Sequence, residues 1–440
     1  MSITNREFSK RRKDLMSQME SNSIALLASA SPSVRNNDAE YQYRQSSDFY
    51  YLTGFAEPRS LLALIPGRRQ GEVVLFCQEK DKEKELWSGF ILGPDAAIDE
   101  LGIDDAYPIE DIDDIILGLI EGRDRIYYSM GKDDDFDDRV MEWVKVIRTQ
   151  AKIGPHPPSE FQVLDHLLHE LRLIKSTAEI KLMKKAAEIS AEGHKAAMAV
   201  CEPGIKEYEL EAELLYSFAR NGSRSPAYLS IVGAGDNACT LHYDSNDSEI
   251  KEGDLVLIDA GCEYEYYASD ITRTFPANGK FTPEQKAIYE IVLKAQEAAI
   301  KAVIPGASWD APHNASVKVI TKGLVKLGLI QGTPSQLIKD AAYRDFYMHR
   351  VGHWLGMDVH DVGDYKIDNH WRLLEPGMVT TIEPGIYISP ANTKVSKKWR
   401  GIGVRIEDDV LVTKTGNRIL STGIPKTVQE IESYMSELSS

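Results

Sequence analysis

Residues Glu252–Gly261 read E-G-D-L-V-L-I-D-A-G, and residues Glu375–Gly385 read E-P-G-M-V-T-T-I-E-P-G. Both pass from a glycine turn through β-branched and aliphatic residues that favour a strand. Both end in a carboxylate just before another glycine. Gly253, Asp259 and Gly261 have the same spacing as Gly377, Glu383 and Gly385. The approach is also similar. One helical run ends in E-P-G (Glu202–Gly204) and a later one in I-P-G (Ile304–Gly306), each followed by more helix. A duplicated fold would bring Asp259 and Glu383 face to face in a central cleft. A chance likeness between two strand–turn segments is the alternative at this point.

Two further acids lie in strand-like settings. Asp270 follows in Y-Y-A-S-D-I-T-R-T-F. A hairpin turning between Tyr264 and Glu265 would set it opposite Asp259. Glu407 lies in G-I-G-V-R-I-E-D-D, where alternation puts Gly403, Arg405 and Glu407 on one face and Ile402, Val404 and Ile406 on the other. Facing carboxylates repel unless a cation lies between them. Taken singly, each acid fits a surface position or a salt bridge. Together with a histidine they make a hard, oxygen-rich set suited to two divalent ions, Mn²⁺ most naturally, with Co²⁺, Fe²⁺ or Zn²⁺ as alternatives.

The histidine comes from H-R-V-G-H-W-L-G-M-D-V-H-D (His349–Asp361), which holds three of the chain's ten histidines. A zinc helix of the H-E-x-x-H type is a poor reading, because no glutamate follows His349 and Gly352 and Gly356 weaken a helix.

At 440 residues the chain exceeds the roughly 250–300 residues that one core usually supports, so two domains are expected. Runs at 23–30, 60–66, 72–77 and 125–130 alternate with helix-like stretches, which suggests an α/β domain over residues 1–175. After G-P-H-P-P-S (154–159) comes an amphipathic run, F-Q-V-L-D-H-L-L-H-E-L-R, and Ser176 and Glu179 then have capping-box spacing ahead of a long helix. Thr4 and Glu7 are spaced likewise, with Phe8, Leu15 and Met19 on one helical face. Residues 176–440 are expected to form an α+β domain with the internal repeat. A net charge of −17 disfavours nucleic acid and anionic membrane as partners, and no apolar run is long enough to span a bilayer. The four scattered cysteines form no C-x-x-C, and a reducing cytosol fits them best.

With these residues in view, the chain resembles the pita-bread metallopeptidases, and within them the bacterial aminopeptidase P family. D-L-V-L-I-D-A-G, S-D-I-T-R-T-F, H-W-L-G-M-D-V-H-D, T-I-E-P-G-I-Y and R-I-E-D-D carry the likeness, as does Asn37–Pro58 in the first domain. The resemblance implies a pita-bread C-terminal domain with a pseudo-two-fold repeat. It implies a dinuclear centre in which Asp270 and Glu407 bridge, Asp259 completes one site, and His353 and Glu383 complete the other. It implies removal of the N-terminal residue from peptides with proline second, by hydroxide held between the metals, with Glu383 as proton shuttle. His349, His360 and His242 would serve the substrate carbonyl or orient the peptide, and His349, Tyr387 and Arg405 would line the proline region. Arg405 could instead be a salt-bridge partner of Glu407 or Asp408. Trp87, in E-L-W-S-G, is similar to a tryptophan that reaches a neighbouring subunit's site, implying a homo-oligomer, dimer or tetramer; its bland alternative is a core aromatic. Arg350 departs from the family, where a small residue often follows the first histidine, and could disturb the loop that aims His349.

Prolidase, acting on Xaa-Pro dipeptides, shares the fold and ligands. Methionine aminopeptidase shares the ligands but usually lacks so large a first domain. A non-catalytic pita-bread binding module or a metal-free hydrolase of the creatinase kind is disfavoured because all five ligand positions are filled.

Overall fold

The computed structural model describes residues 2–150, 154 and 156–438. The chain divides into two compact units, Ile3–Arg172 and the residues from Leu173 on.

The first unit is built on a six-stranded mixed sheet, ordered Asp105–Pro108, Val73–Cys77, Leu61–Leu64, Ser23–Ala28, Arg125–Tyr128 and Glu160–Val163. Its central strands are buried on both faces, which is why they read as continuous apolar runs rather than alternating ones. Ile24, Leu26, Val74, Phe76 and Ile126 pack with Ile116, Ile120, Val140 and Trp143 from helices Ile112–Ile120 and Asp134–Gln150. The outer strands were not legible. Glu160–Val163 takes the first residues of the amphipathic run, and helix begins only at Asp165. Of the 154–159 interruption, Pro155 lies outside the described residues. Helix Asn5–Met16 buries Phe8 and Leu15, with Met19 buried just beyond it, but the Thr4 side chain makes no cap bond and Glu7 pairs with Arg11 instead.

The second unit contains the repeat. Helices Thr177–Val200 and Glu207–Arg220 precede one antiparallel sheet (Ile231–Ala234, Leu255–Asp259, Thr272–Pro276). Helices Pro283–Ala302 and Ala311–Lys326 precede another (Val379–Ile382, Asp408–Val412, Asn417–Ile419). The capping box at Ser176 forms in both directions, Glu179 N–H to Ser176 Oγ at 3.3 Å and Ser176 N–H to Glu179 Oε2 at 2.8 Å. The halves correspond down to hydrogen bonds. Ile231 pairs with Asp259 in the first sheet. In the second, Val351, His353 and Leu355 are bonded through their backbones to Glu383, Thr381 and Val379. The halves meet where Glu407 N–H donates to the Thr272 carbonyl at 3.1 Å. Ile402, Val404 and Ile406 point into the large core, leaving Arg405 and Glu407 on the opposite face.

Candidate metal centre and active site

Asp259 ends its strand opposite Thr272, not opposite Asp270. The hairpin turns at Glu265–Tyr266, one position later than expected, and both residues adopt positive φ (50° and 69°). Neither is glycine or asparagine, so the turn carries no sequence signal. The two acids still converge, because the Tyr228 hydroxyl lies 2.6 Å from Asp259 Oδ1 and 2.5 Å from Asp270 Oδ1. One hydroxyl proton cannot satisfy both carboxylates. Gly261 lets this hairpin close, since a Cβ there would collide with the Ser269 carbonyl.

The second half delivers His353 and Glu383. Gly352 allows the 351–355 segment to lie against Thr381, where any Cβ would strike the Thr381 carbonyl. His353 Nδ1 donates to the Trp354 carbonyl at 2.9 Å, which leaves Nε2 as the basic nitrogen facing Asp270 (3.3 Å) and Glu383 (3.7 Å). Glu407 Oε2 accepts from Thr272 Oγ1 at 2.7 Å, while Oε1 is buried with no partner. Asp270, His353 and Glu407 each present an atom within 4.8 Å of the others.

The electrostatics are unbalanced. Burial drives the Glu407 carboxyl well above the usual range, and Asp270, Glu383 and Asp259 push it further. Burial lifts Glu383 to about 7 against the pull of His353 and Arg405. Asp259 is raised by burial despite Arg405. At Asp270 burial also acts upward, but contact with His353 and Tyr228 brings the group below its ordinary value. His353, for which burial acts downward, is lifted to about 9 by Asp270 and Glu383. Four acids around one basic imidazole nitrogen, with an orphaned buried carboxylate oxygen, fit hard divalent cations in donor type and charge.

Other expected site residues line the same cavity of about 590 Å³: His242, His349, His360 and Arg405. Arg405 is buried. Its Nη2 donates to Asp259 Oδ2 at 2.6 Å, its Nε to Thr272 and its Nη1 to Tyr387 OH at 3.0 Å, so its carboxylate partner is neither Glu407 nor Asp408. Tyr387 OH lies 2.9 Å from His349 Nε2, and His349 Nδ1 lies 2.7 Å from the Arg350 carbonyl. Nδ1 must donate to that carbonyl, so Nε2 accepts from Tyr387. Both nitrogens of His349 are thus engaged by protein, and burial lowers its pKa to about 3. The backbone carbonyl of Arg350 holds His349, and its side chain reaches the face of Trp371. His360 packs edge-on against His353 with ring centroids 4.3 Å apart. Asp361, beside it, forms a fully buried pair with Lys175 at 2.8 Å. Trp87 belongs to the first unit and is not a core aromatic: it is 92% exposed on helix Lys82–Ser88, with Leu86 85% exposed beside it.

Tyr228, Thr272 and Glu207 were missed. The buried Glu207 accepts from Ala234 N–H, Ser248 N–H and the Tyr243 hydroxyl, which fixes the loop bearing His242. Thr272 lies inside the S-D-I-T-R-T-F motif but was passed over for Asp270, and neither Tyr228 nor Glu207 belongs to a spaced pattern that the sequence would reveal. A larger groove of about 1200 Å³, along helices Thr177–Val200, Pro283–Ala302 and Val428–Leu438, mixes lysines with glutamates and lies apart from this chemistry.

Comparison with known proteins follows the same lines. A model of metallopeptidase family M24 matches residues 181–414, and one of the aminopeptidase P N-terminal domain matches residues 8–127. Xaa-Pro aminopeptidase of Escherichia coli (strain K12) is 45% identical, over 98% of this chain and 98% of its own. The structure of Pseudomonas aeruginosa aminopeptidase PepP is similar at 61% identity and a TM-score of 0.99, covering 100% of this chain and 99% of that one. A variant of E. coli aminopeptidase P in complex with substrate is similar at 44% identity and a TM-score of 0.97, covering 100% of both chains.

Proposed function

The chain belongs to metallopeptidase family M24, and we infer that it is a metal-dependent hydrolase that removes the first residue from peptides with proline in the second position. The observation that carries this reading is the meeting of four carboxylates and the basic nitrogen of His353 in one cavity. Asp270 and Glu407 would bridge two divalent ions, Asp259 would complete one site, and His353 with Glu383 would complete the other. Mn²⁺ suits so oxygen-rich a set, with Co²⁺, Fe²⁺ or Zn²⁺ as alternatives. Bound there, such ions supply Lewis acidity and bring the pKa of water toward neutrality.

The remaining work falls to the chain's own side chains. Glu383, buried in the cavity beside His353, is suited to accept a proton and pass it to the leaving prolyl nitrogen. His360 and His242 can offer N–H groups to the scissile carbonyl. His349, engaged on both nitrogens, orients Tyr387, and Arg405 braces Tyr387 against Asp259. The acidic end of the cavity draws the substrate's α-ammonium and so limits cleavage to the first bond. A tertiary Xaa-Pro amide brings no N–H that needs an acceptor, and Leu229, Ile231, Leu241 and Val359 give an apolar wall suited to a proline ring.

The first unit would serve assembly and substrate access. Exposed Leu86, Trp87 and Phe90 form an apolar patch of the kind that a second copy covers, consistent with a homo-oligomer, dimer or tetramer, in which Trp87 serves a neighbour's site. Four free cysteines suit a reducing cytosol.

Chelator-stripped protein reloaded with Mn²⁺ tests the function on an Xaa-Pro dipeptide and a longer Xaa-Pro peptide. Metal-dependent release of the first residue from the longer peptide is expected. Cleavage of the dipeptide alone would make the chain a prolidase, and no cleavage would make it a binding module.

A further inference from the structure

We propose that Arg350 sits at the cavity mouth to read the C-terminal carboxylate of short Xaa-Pro-Xaa substrates, making it a specificity residue for tripeptides. The inference rests on the peptidase reading above. A short peptide carries an ammonium at one end and a carboxylate at the other, and the deep wall of this cavity is acidic. Two arginines line the cavity, Arg350 and Arg405. Arg405 is spent on Asp259, Thr272 and Tyr387. Arg350 is exposed, and no carboxylate among the described residues lies within ion-pair distance of its guanidinium.

Its position is nonetheless set. Its Cζ lies 4.6 Å from the centre of the Trp371 ring, and its carbonyl is held by His349. Trp371 stands on the hairpin Lys366–Ile367/His370–Trp371, turned at Asp368 and Asn369 with φ of 47° and 64°. The next residue, Arg372, is buried, and its carbonyl accepts from Trp309 N–H at 2.8 Å. A guanidinium over an aromatic face keeps the N–H donors in its own plane, the geometry that meets a carboxylate bidentately. Consecutive Cα atoms are about 3.8 Å apart. A tripeptide carboxylate therefore lies roughly 7 Å beyond the scissile bond, and Arg350 is the lining arginine left to meet it. A longer peptide presents a neutral carbonyl there, and a dipeptide ends before it.

The test compares Xaa-Pro-Leu with its C-terminal amide, alongside the dipeptide Xaa-Pro, in wild type, Arg350→Ala, Arg350→Lys and Trp371→Leu. Wild type should favour the tripeptide acid over its amide by roughly tenfold in kcat/KM, the scale of one charge-assisted contact. Arg350→Ala should bring the acid down to the amide, through KM more than kcat. Arg350→Lys should keep part of the preference, and Trp371→Leu should weaken it. Calorimetry with prolyl-leucine and prolyl-leucinamide on metal-loaded protein gives the same comparison without turnover, so failure of the peptidase reading would be told apart from failure of this one. An acid-to-amide ratio identical in wild type and Arg350→Ala would overturn the proposal. So would a loss confined to the dipeptide.

Discussion

Two clusters of buried charge invite comparison. In the first unit Asp48 is buried beside Arg172 at 2.6 Å and His169 and Lys132 at 3.4 Å. Burial acts to raise its pKa, but Arg172 and the other partners win and hold it well below the ordinary range. In the second unit Glu407 is buried as deeply, beside three other acids, and is pushed the opposite way. The R-I-E-D-D motif repeats the contrast within two residues. Asp408, paired with Arg273 at 2.8 Å and Lys426 at 2.7 Å, is lowered; Asp409 is raised by burial, with Asp270 adding to it. A buried acid matched by protein cations builds structure. Unmatched acids that converge on one cavity, as Asp259, Asp270, Glu383 and Glu407 do, are suited to a cation from outside.

Glu383→Gln keeps the shape but removes the proposed proton acceptor, so kcat should fall about 10²–10⁴-fold with the far-ultraviolet circular dichroism of wild type. Asp48→Asn removes a buried counter-charge of Arg172 and should cost about 3–5 kcal/mol of first-unit stability, read by hydrogen exchange in strand Ser23–Ala28. The pH dependence has a definite sign. Asp48 is depressed in the folded state, so its contribution is present above about pH 4 and is lost as pH falls below it. Asp48→Asn should flatten that acid slope, and an unchanged slope would show that the pairing contributes nothing. Tyr228→Phe removes the hydroxyl shared by Asp259 and Asp270 and should weaken metal affinity about 10–100-fold, measured by competition with a chelating dye. Glu407→Gln, the smallest effect, should shift the melting temperature of the metal-free protein by only a degree or so, since Gln replaces a carboxyl already pushed toward its neutral form.

How far the sequence revealed these features depended on whether a residue's role left a pattern. Strands ending in Asp259 and Glu383 recur with fixed spacing because the fold repeats, so the acids could be found in pairs. Buried central strands such as Val73–Cys77 showed as apolar runs. Glu160–Val163 did not, because its half-exposed side chains merge into the following helix. The turn at Glu265–Tyr266 was misplaced by one residue because its positive φ values fall on residues with no turn preference. Gly352 looked like a helix breaker, whereas its function is to let His353 pair beside Thr381. Tyr228 is a lone tyrosine in a loop, and only three-dimensional proximity ties it to Asp259 and Asp270.

Metal stoichiometry of chelator-stripped protein, by equilibrium dialysis against Mn²⁺, tests the central claim most directly. It should be run on wild type, Asp48→Asn and Glu407→Gln. Wild type and Asp48→Asn should bind two ions per chain, and Glu407→Gln fewer. Wild-type protein that binds none, or Glu407→Gln that binds as wild type does, would contradict it.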